Sequence, residues 1–208
     1  AGFSAYRGDT MRDRQRYDIA VSAMLRVHAQ DPRRESDDTG EHALELLYTR
    51  RLVAWVERLD PEASEALLLA SHGLHLSRWT IPRNTYAMTR KAYHGWRNRL
   101  RALHADETED ILRECLYDDA TVARVRELVL RTTYPDDPAS RVIEDAVSLL
   151  LLERQFVEFA AKTERKKLLR VVRRVWVRMT PQAQEVALAL PLGEAEAEVV
   201  REALAALE

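Results

Sequence analysis

Apolar residues recur every three or four positions along most of this chain, and Pro, Gly and short polar clusters interrupt them. From Arg12 to Gln30 the residues Ile19, Ala20, Ala23, Met24 and Val27 keep helical spacing, until Asp31-Pro32 stops the run. Arg33 to Gly40 reads as a polar loop. A second helix, from about Glu41 to Leu59, carries Leu44, Leu47, Tyr48, Leu52, Trp55 and Val56 on one stripe. A third runs to about Trp79, where Ile81-Pro82 ends it, because the residue before a proline is pushed out of the helical region. Asn84-Thr85 caps a fourth helix, Tyr86 to Ala105. Asp106-Glu107 opens a fifth, and Asp118-Asp119 opens a sixth that runs to Arg131. Beyond the break at Thr132 to Pro138 the spacing predicts a long helix from Ala139 to Ala161 and another from Glu164 to Met179. The β-branched run Val171 to Val177 has charged spacing that favours helix over strand. Two short helices follow, punctuated by Thr180-Pro181 and Pro191-Leu192-Gly193.

With short loops and no internal repeat, residues 11–208 are expected to form one compact all-α domain, a helical bundle of about eight to ten helices. Composition agrees: Leu, Ala, Arg and Glu dominate, against six Gly and seven Pro. Residues 1–10 read as coil, a disordered leader or an added remnant ahead of Met11. The single cysteine, Cys115, excludes an internal disulfide and a cysteine zinc finger, and fits a reducing compartment. Its ordinary role is that of a small buried hydrophobe. The longest apolar run, Ala146 to Leu152, is too short to span a bilayer, so no membrane partner and a cytoplasmic address are expected.

Charge changes this picture. Acids and bases nearly balance overall, 34 Asp+Glu against 32 Lys+Arg, yet no acid stands between Ala66 and Ala105. That segment holds Arg78, Arg83, Arg90, Lys91, Arg97, Arg99 and Arg101, with four of the six histidines. Arginine, histidine and large aromatics without neutralising acids point to an anionic partner, a phosphate or a carboxylate.

Four constellations carry candidate chemistry. On the third helix, His72 and His75 are i,i+3, with Arg78 and Trp79 one turn beyond, so all four are expected on one face. Such a histidine is otherwise a hydrogen-bonded packing residue. Glu144-Asp145 opens the near-continuous apolar run, with Glu153 and Glu158 further along. A carboxylate there is either a solvated terminal charge or a buried group that needs a cation or metal. Glu45, Tyr48 and Arg51 share a face of the second helix, with Glu45 and Arg51 able to pair across it. Finally Tyr86, Arg90, Tyr93 and Arg97, spaced four, three and four, form one stripe beside Arg83 and Trp96. No glycine-rich phosphate loop, HExxH, GxSxG or dinucleotide fingerprint occurs.

The segments Glu45-Leu46-Leu47-Tyr48, His75 to Arg83 (HLSRWTIPR), Tyr86, Tyr93 and Trp96-Arg97 resemble a family of bacterial and fungal proteins labelled a domain of unknown function, number 4202. Ile143-Glu144-Asp145-Ala146, Leu152 to Phe156 and Val175 to Met179 extend the likeness from about Arg16 to Leu190. A more distant likeness is to HD-type helical metal-dependent phosphohydrolases. It implies an HD-like bundle in which His75 matches the paired histidine and Asp145 the distant aspartate. Leu76 departs from that pattern where the paired aspartate should stand, as does Glu45 where a histidine should.

The resulting expectation is a metal-dependent hydrolase of a phosphate ester or nucleotide. His75, Asp145 and Glu45 are the expected catalytic and metal-holding residues, for Mn, Mg or Fe. Arg51, Arg78, Trp79, Arg83, Tyr86, Arg90, Tyr93 and Arg97 are the expected contacts to a small anionic ligand. Two alternatives stand beside it. One is a non-catalytic protein that binds RNA or an anionic metabolite. The other is a helical non-haem metal oxygenase.

Overall fold

A computed structural model describes residues 3–156 and 163–205. Among the described residues the chain is all-α apart from one small antiparallel hairpin, and it divides into two compact units. The first comprises residues up to Val53 together with Glu62–Thr133, and the second comprises Ala54–Pro61 together with residues from Tyr134 onward.

In the first unit α1 (Phe3–His28) begins within the stretch expected to be coil. Strands β1 (Arg34–Asp37) and β2 (Gly40–Ala43) pair from Arg34 opposite Ala43 to Asp37 opposite Gly40, where a plain polar loop was expected. Gly40, at φ 124°, turns the hairpin in a conformation side-chain-bearing residues rarely adopt. Helix α2 (Leu44–Leu59) follows directly and carries its last turns into the second unit. Helix α3 (Glu65–Gly73) starts at Ser64, whose hydroxyl accepts from the Leu67 amide.

Helix α4 (Arg90–Glu114) is one element where two helices were expected. Asp106-Glu107 suits a helix start, but no glycine or proline interrupts the chain there, so the backbone continues. Helix α5 (Asp119–Leu130) is capped by Asp118, whose carboxylate accepts from the Thr121 amide. Helix α3 packs on α1, α4 and α5, and α4 on α1 and α5. Met24, Leu52, Leu67, Leu69, Leu112 and Leu128 are buried in this unit. Gly73 allows the closest approach, since a Cβ there would lie 2.3 Å from Thr108 Oγ1 on α4.

In the second unit α6 (Pro138–Leu150) begins after Asp137 and buries Ile143, Leu149 and Leu150. At Leu151–Gln155 it gives way to a π-turn. The remainder of the helix expected to reach Ala161, with Glu158, lies outside the described residues. Then come α7 (Arg165–Trp176), α8 (Pro181–Leu188) and α9 (Glu194–Leu204). Helix α6 packs on α8, and α7 on α9. Trp55 Nε1 donates to Glu153 Oε2 at 2.9 Å, and Gln182 Nε2 to the Leu59 carbonyl at 3.1 Å.

Candidate acid–base and anion site

A buried polar centre lies in the first unit, around Glu45. Its position on the first turn of α2 follows from the hairpin, whose last residue Ala43 leads straight into the helix. Asp31, fully buried after α1, accepts from the Glu45 amide at 3.1 Å and thereby satisfies one of the helix's first N–H groups. Asp31 also takes a bidentate pair from Arg33, with Nε at 2.9 Å and Nη2 at 2.8 Å. The same Arg33 Nη2 donates to Glu45 Oε1 at 2.8 Å. Arg78 Nε lies 3.6 Å from that oxygen, and His75 Nδ1 lies 3.2 Å from Oε2.

His75 does not sit on a helix face. Helix α3 stops at Gly73, and His75 and Ser77 take left-handed backbone conformations, φ 67° and 51°. The expected i,i+3 alignment of His72, His75, Arg78 and Trp79 is therefore broken. Arg78 and Trp79 lie in a separate short 3₁₀ turn, Arg78–Thr80. Left-handed non-glycine residues persist only where the surroundings hold them. Two imidazoles do so here by gripping carbonyls on either side of His75. His28 Nε2, at the end of α1, donates to the His72 carbonyl at 2.9 Å, and His104 Nδ1, from α4, donates to the Leu76 carbonyl at 2.6 Å. Ser77 Oγ donates to Glu107 Oε2 at 2.7 Å. The His75 ring stacks on Tyr48, centroids 4.6 Å apart, and tilts against His104 at 5.7 Å.

These contacts set the protonation states. Burial opposes charge on Glu45, but the cationic surroundings and the hydrogen bonds from His75 and Arg33 outweigh it and bring the carboxyl down to about 2. Burial, reinforced by Arg78, pushes His75 down to about 4, with Glu45 pulling the other way. Burial likewise lowers His72 to about 4, His104 to about 3, and His28. At neutral pH the centre is thus a carboxylate facing a neutral imidazole. Because a carboxylate only accepts, the His75 proton resides on Nδ1 and the lone pair on Nε2. The His75 side chain keeps 19% of its surface exposed.

The expected anion contacts separate into groups. Arg78, Arg83 and Arg97 join a ladder of rings: Arg78 over Trp96 at 5.3 Å, Arg83 over Trp96 at 5.9 Å and Tyr93 at 5.7 Å, and Arg97 over Tyr93 at 5.8 Å. Trp96 Nε1 anchors the ladder by donating to the Ile81 carbonyl at 2.9 Å. Tyr86 precedes α4 in extended backbone, so the four-residue stripe is not helical throughout, and its carbonyl accepts from Arg83 at 3.0 Å. Arg90 is an exposed first-turn residue of α4. Arg51 pairs with Glu35 on β1 at 2.5 Å rather than with Glu45.

Asp145 belongs to the second unit. Its Oδ1 accepts from the Thr180 amide at 3.0 Å and its Oδ2 from the Thr180 hydroxyl at 2.6 Å, which fastens α6 to the start of α8. Arg178 covers the adjacent Glu144 at 2.7 Å. Among the described residues no group of three or more His, Cys, Asp or Glu is arranged to hold a metal ion. Both Glu45 oxygens face cations or a donor N–H, and both Asp145 oxygens accept from Thr180. The donor set as placed therefore does not fit a divalent ion.

The sequence reading missed His28, Asp31, Arg33 and His104. The bonds that bring them to the centre, Asp31 to Glu45, His28 to His72 and His104 to Leu76, span 14, 44 and 28 residues, which no local pattern announces.

The family described as Domain of unknown function (DUF4202) matches residues 18–200. No curated protein and no solved structure matches the chain.

Proposed function

We propose that this chain, which belongs to the family described as Domain of unknown function (DUF4202), is a hydrolase of small phosphate esters or nucleotides in which His75 and Glu45 perform the acid–base chemistry. The observation that carries the reading is the 3.2 Å contact from His75 Nδ1 to Glu45 Oε2. It fixes the tautomer, points the Nε2 lone pair away from the carboxylate, and lets Glu45 stabilise the imidazolium as it forms. In the proposed step Nε2 takes a proton from water as its oxygen bonds to phosphorus. The bond to the leaving oxygen breaks, and that oxygen receives the proton from the imidazolium. Arg78, 32% exposed at its side chain, supplies a guanidinium beside the same centre for the charge that develops on phosphate.

The likeness to HD-type phosphohydrolases supports the substrate class, and the reading routes no step through a metal. A second reading, binding of an anionic metabolite or RNA without catalysis, is favoured by the Arg78–Trp96–Arg83–Tyr93–Arg97 ladder, in which Arg83 and Arg97 lie over rings while Arg78 lies over Trp96 and also beside Glu45. A panel of nucleotides and phosphomonoesters, assayed with EDTA and with Mn²⁺, separates the two. The hydrolase reading expects turnover in EDTA that His75→Ala lowers by about 10²–10⁴-fold. Ligand binding without turnover in either condition rejects it in favour of the second.

A further inference from the structure

We infer that α7 in the second unit is a docking surface for the phosphate backbone of duplex nucleic acid. From Arg165 to Gln184 the chain has no acidic residue, while Arg165, Lys166, Lys167, Arg170, Arg173, Arg174 and Arg178 are basic. Some of these are engaged within the unit. Arg165 pairs with Glu202 on α9, Arg173 Nε donates to the Ala203 carbonyl at 3.0 Å, and Arg178 pairs with Glu144. Lys166, Lys167, Arg170 and Arg174 are all exposed and have no carboxylate partner among the described residues. Lys166, Arg170 and Arg174 stand at i, i+4 and i+8, so they form one row about 12 Å long. Each strand of duplex DNA presents a phosphate roughly every 3.4 Å of its axis, so such a row runs beside about three or four phosphates of one strand.

The rest of the helix selects among polyanions. A membrane-surface helix needs a free apolar face to insert. Here Leu168 and Val172 are buried, and α7 packs on α9. Single-strand binding draws on exposed aromatic platforms for base stacking, and the one aromatic of α7, Trp176, is partly buried at its last position. What remains is a row of cations that reads charge and shape without sequence.

The test is fluorescence anisotropy with a labelled 20-base-pair DNA duplex, using the full chain, from 50 to 200 mM salt. Four phosphate contacts give a log–log salt slope near −3.6, about a hundredfold loss of affinity across that range. The variant Lys166→Ala/Lys167→Ala/Arg170→Ala/Arg174→Ala is expected to abolish binding while keeping the helix, since alanine favours it, as checked by circular dichroism. Arg170→Lys/Arg174→Lys should keep the slope even if the quadruple variant folds poorly. No binding at 50 mM salt, binding that survives in the folded alanine variant, or stronger binding to phosphatidylserine vesicles or to a single strand of the same length would overturn the assignment.

Discussion

His75 Nδ1 lies 3.2 Å from Glu45 Oε2, although the two residues come from separate elements and His75 sits in a left-handed turn. Glu45 is itself held by Arg33 and flanked by Arg78. Replacing it tests charge and shape separately. Glu45→Gln keeps an acceptor for His75 but removes the counter-charge of two guanidiniums. Because both arginines are partly exposed, we expect a loss of roughly 1–3 kcal/mol, below that of a fully buried broken pair. Glu45→Ala should cost more than Glu45→Gln in both chemical unfolding and turnover. Equal stability of all three proteins would remove Glu45 from the centre.

Acid should weaken the first unit earlier than carboxylate titration alone would. His28, His72, His75 and His104 all titrate below the ordinary 6.5 in the fold, His72 and His75 at about 4 and His104 at about 3. The unfolded chain therefore binds more protons than the folded one between about 6.5 and 3–4, so stability falls as pH drops through that window. Glu45, lowered from 4.5 to about 2, adds a further loss between those values. Urea midpoints measured from pH 7.5 to 4.5 should decline continuously, and replacing His104 with Gln should flatten the decline. A flat profile down to pH 5 contradicts the buried neutral imidazoles.

Asp145 is predicted to be structural. Both its oxygens accept from Thr180, so Asp145→Ala leaves an amide and a hydroxyl without their charged acceptor. Hydrogen bonds to charged groups contribute roughly 1.5–3 kcal/mol each, part of which water recovers here. Thermal melting of the variant should drop by several degrees, while turnover per folded molecule is unchanged. Loss of turnover at unchanged stability would restore Asp145 to the chemistry.

Gly73→Ala should destabilise by about 1–3 kcal/mol, because a Cβ would meet Thr108 Oγ1 at 2.3 Å and Cγ2 at 2.8 Å. Thr108→Ala in the same chain should recover much of that loss. A Gly73→Ala protein as stable as the parent would mean that α3 and α4 approach less closely.

Helix boundaries were legible at Asp31-Pro32, Asp118 and Thr180-Pro181, but not at Asn84-Thr85, because the helix expected from Tyr86 starts instead at Arg90, where Thr89 caps it. The hairpin was not, because Arg34 to Ala43 lacks an alternating apolar pattern and is fixed by cross-strand pairing instead. Gly73 to Arg78 reads as a continuous helix, yet the carbonyl grips of His28 and His104 stabilise a different path there. The pairing of Glu45 with His75, and the cation ladder, used residues the sequence had singled out. Asp31 remained hidden because a polar residue at a helix end gives no sign of being fully buried until the chain is folded, and the exposed Arg33 matters only through the buried carboxylates it meets.

The most direct measurement is the ¹⁵N–¹H correlation spectrum of His75, titrated from pH 7.5 to 3.5. The Glu45 contact predicts a neutral ring with its proton on Nδ1, titrating near 4. In Glu45→Gln the titration should move lower still, since the carboxylate is what raises it. A proton on Nε2, or a midpoint near the ordinary 6.5 unaffected by Glu45, would contradict the Glu45–His75 pair as the chemical centre of this protein.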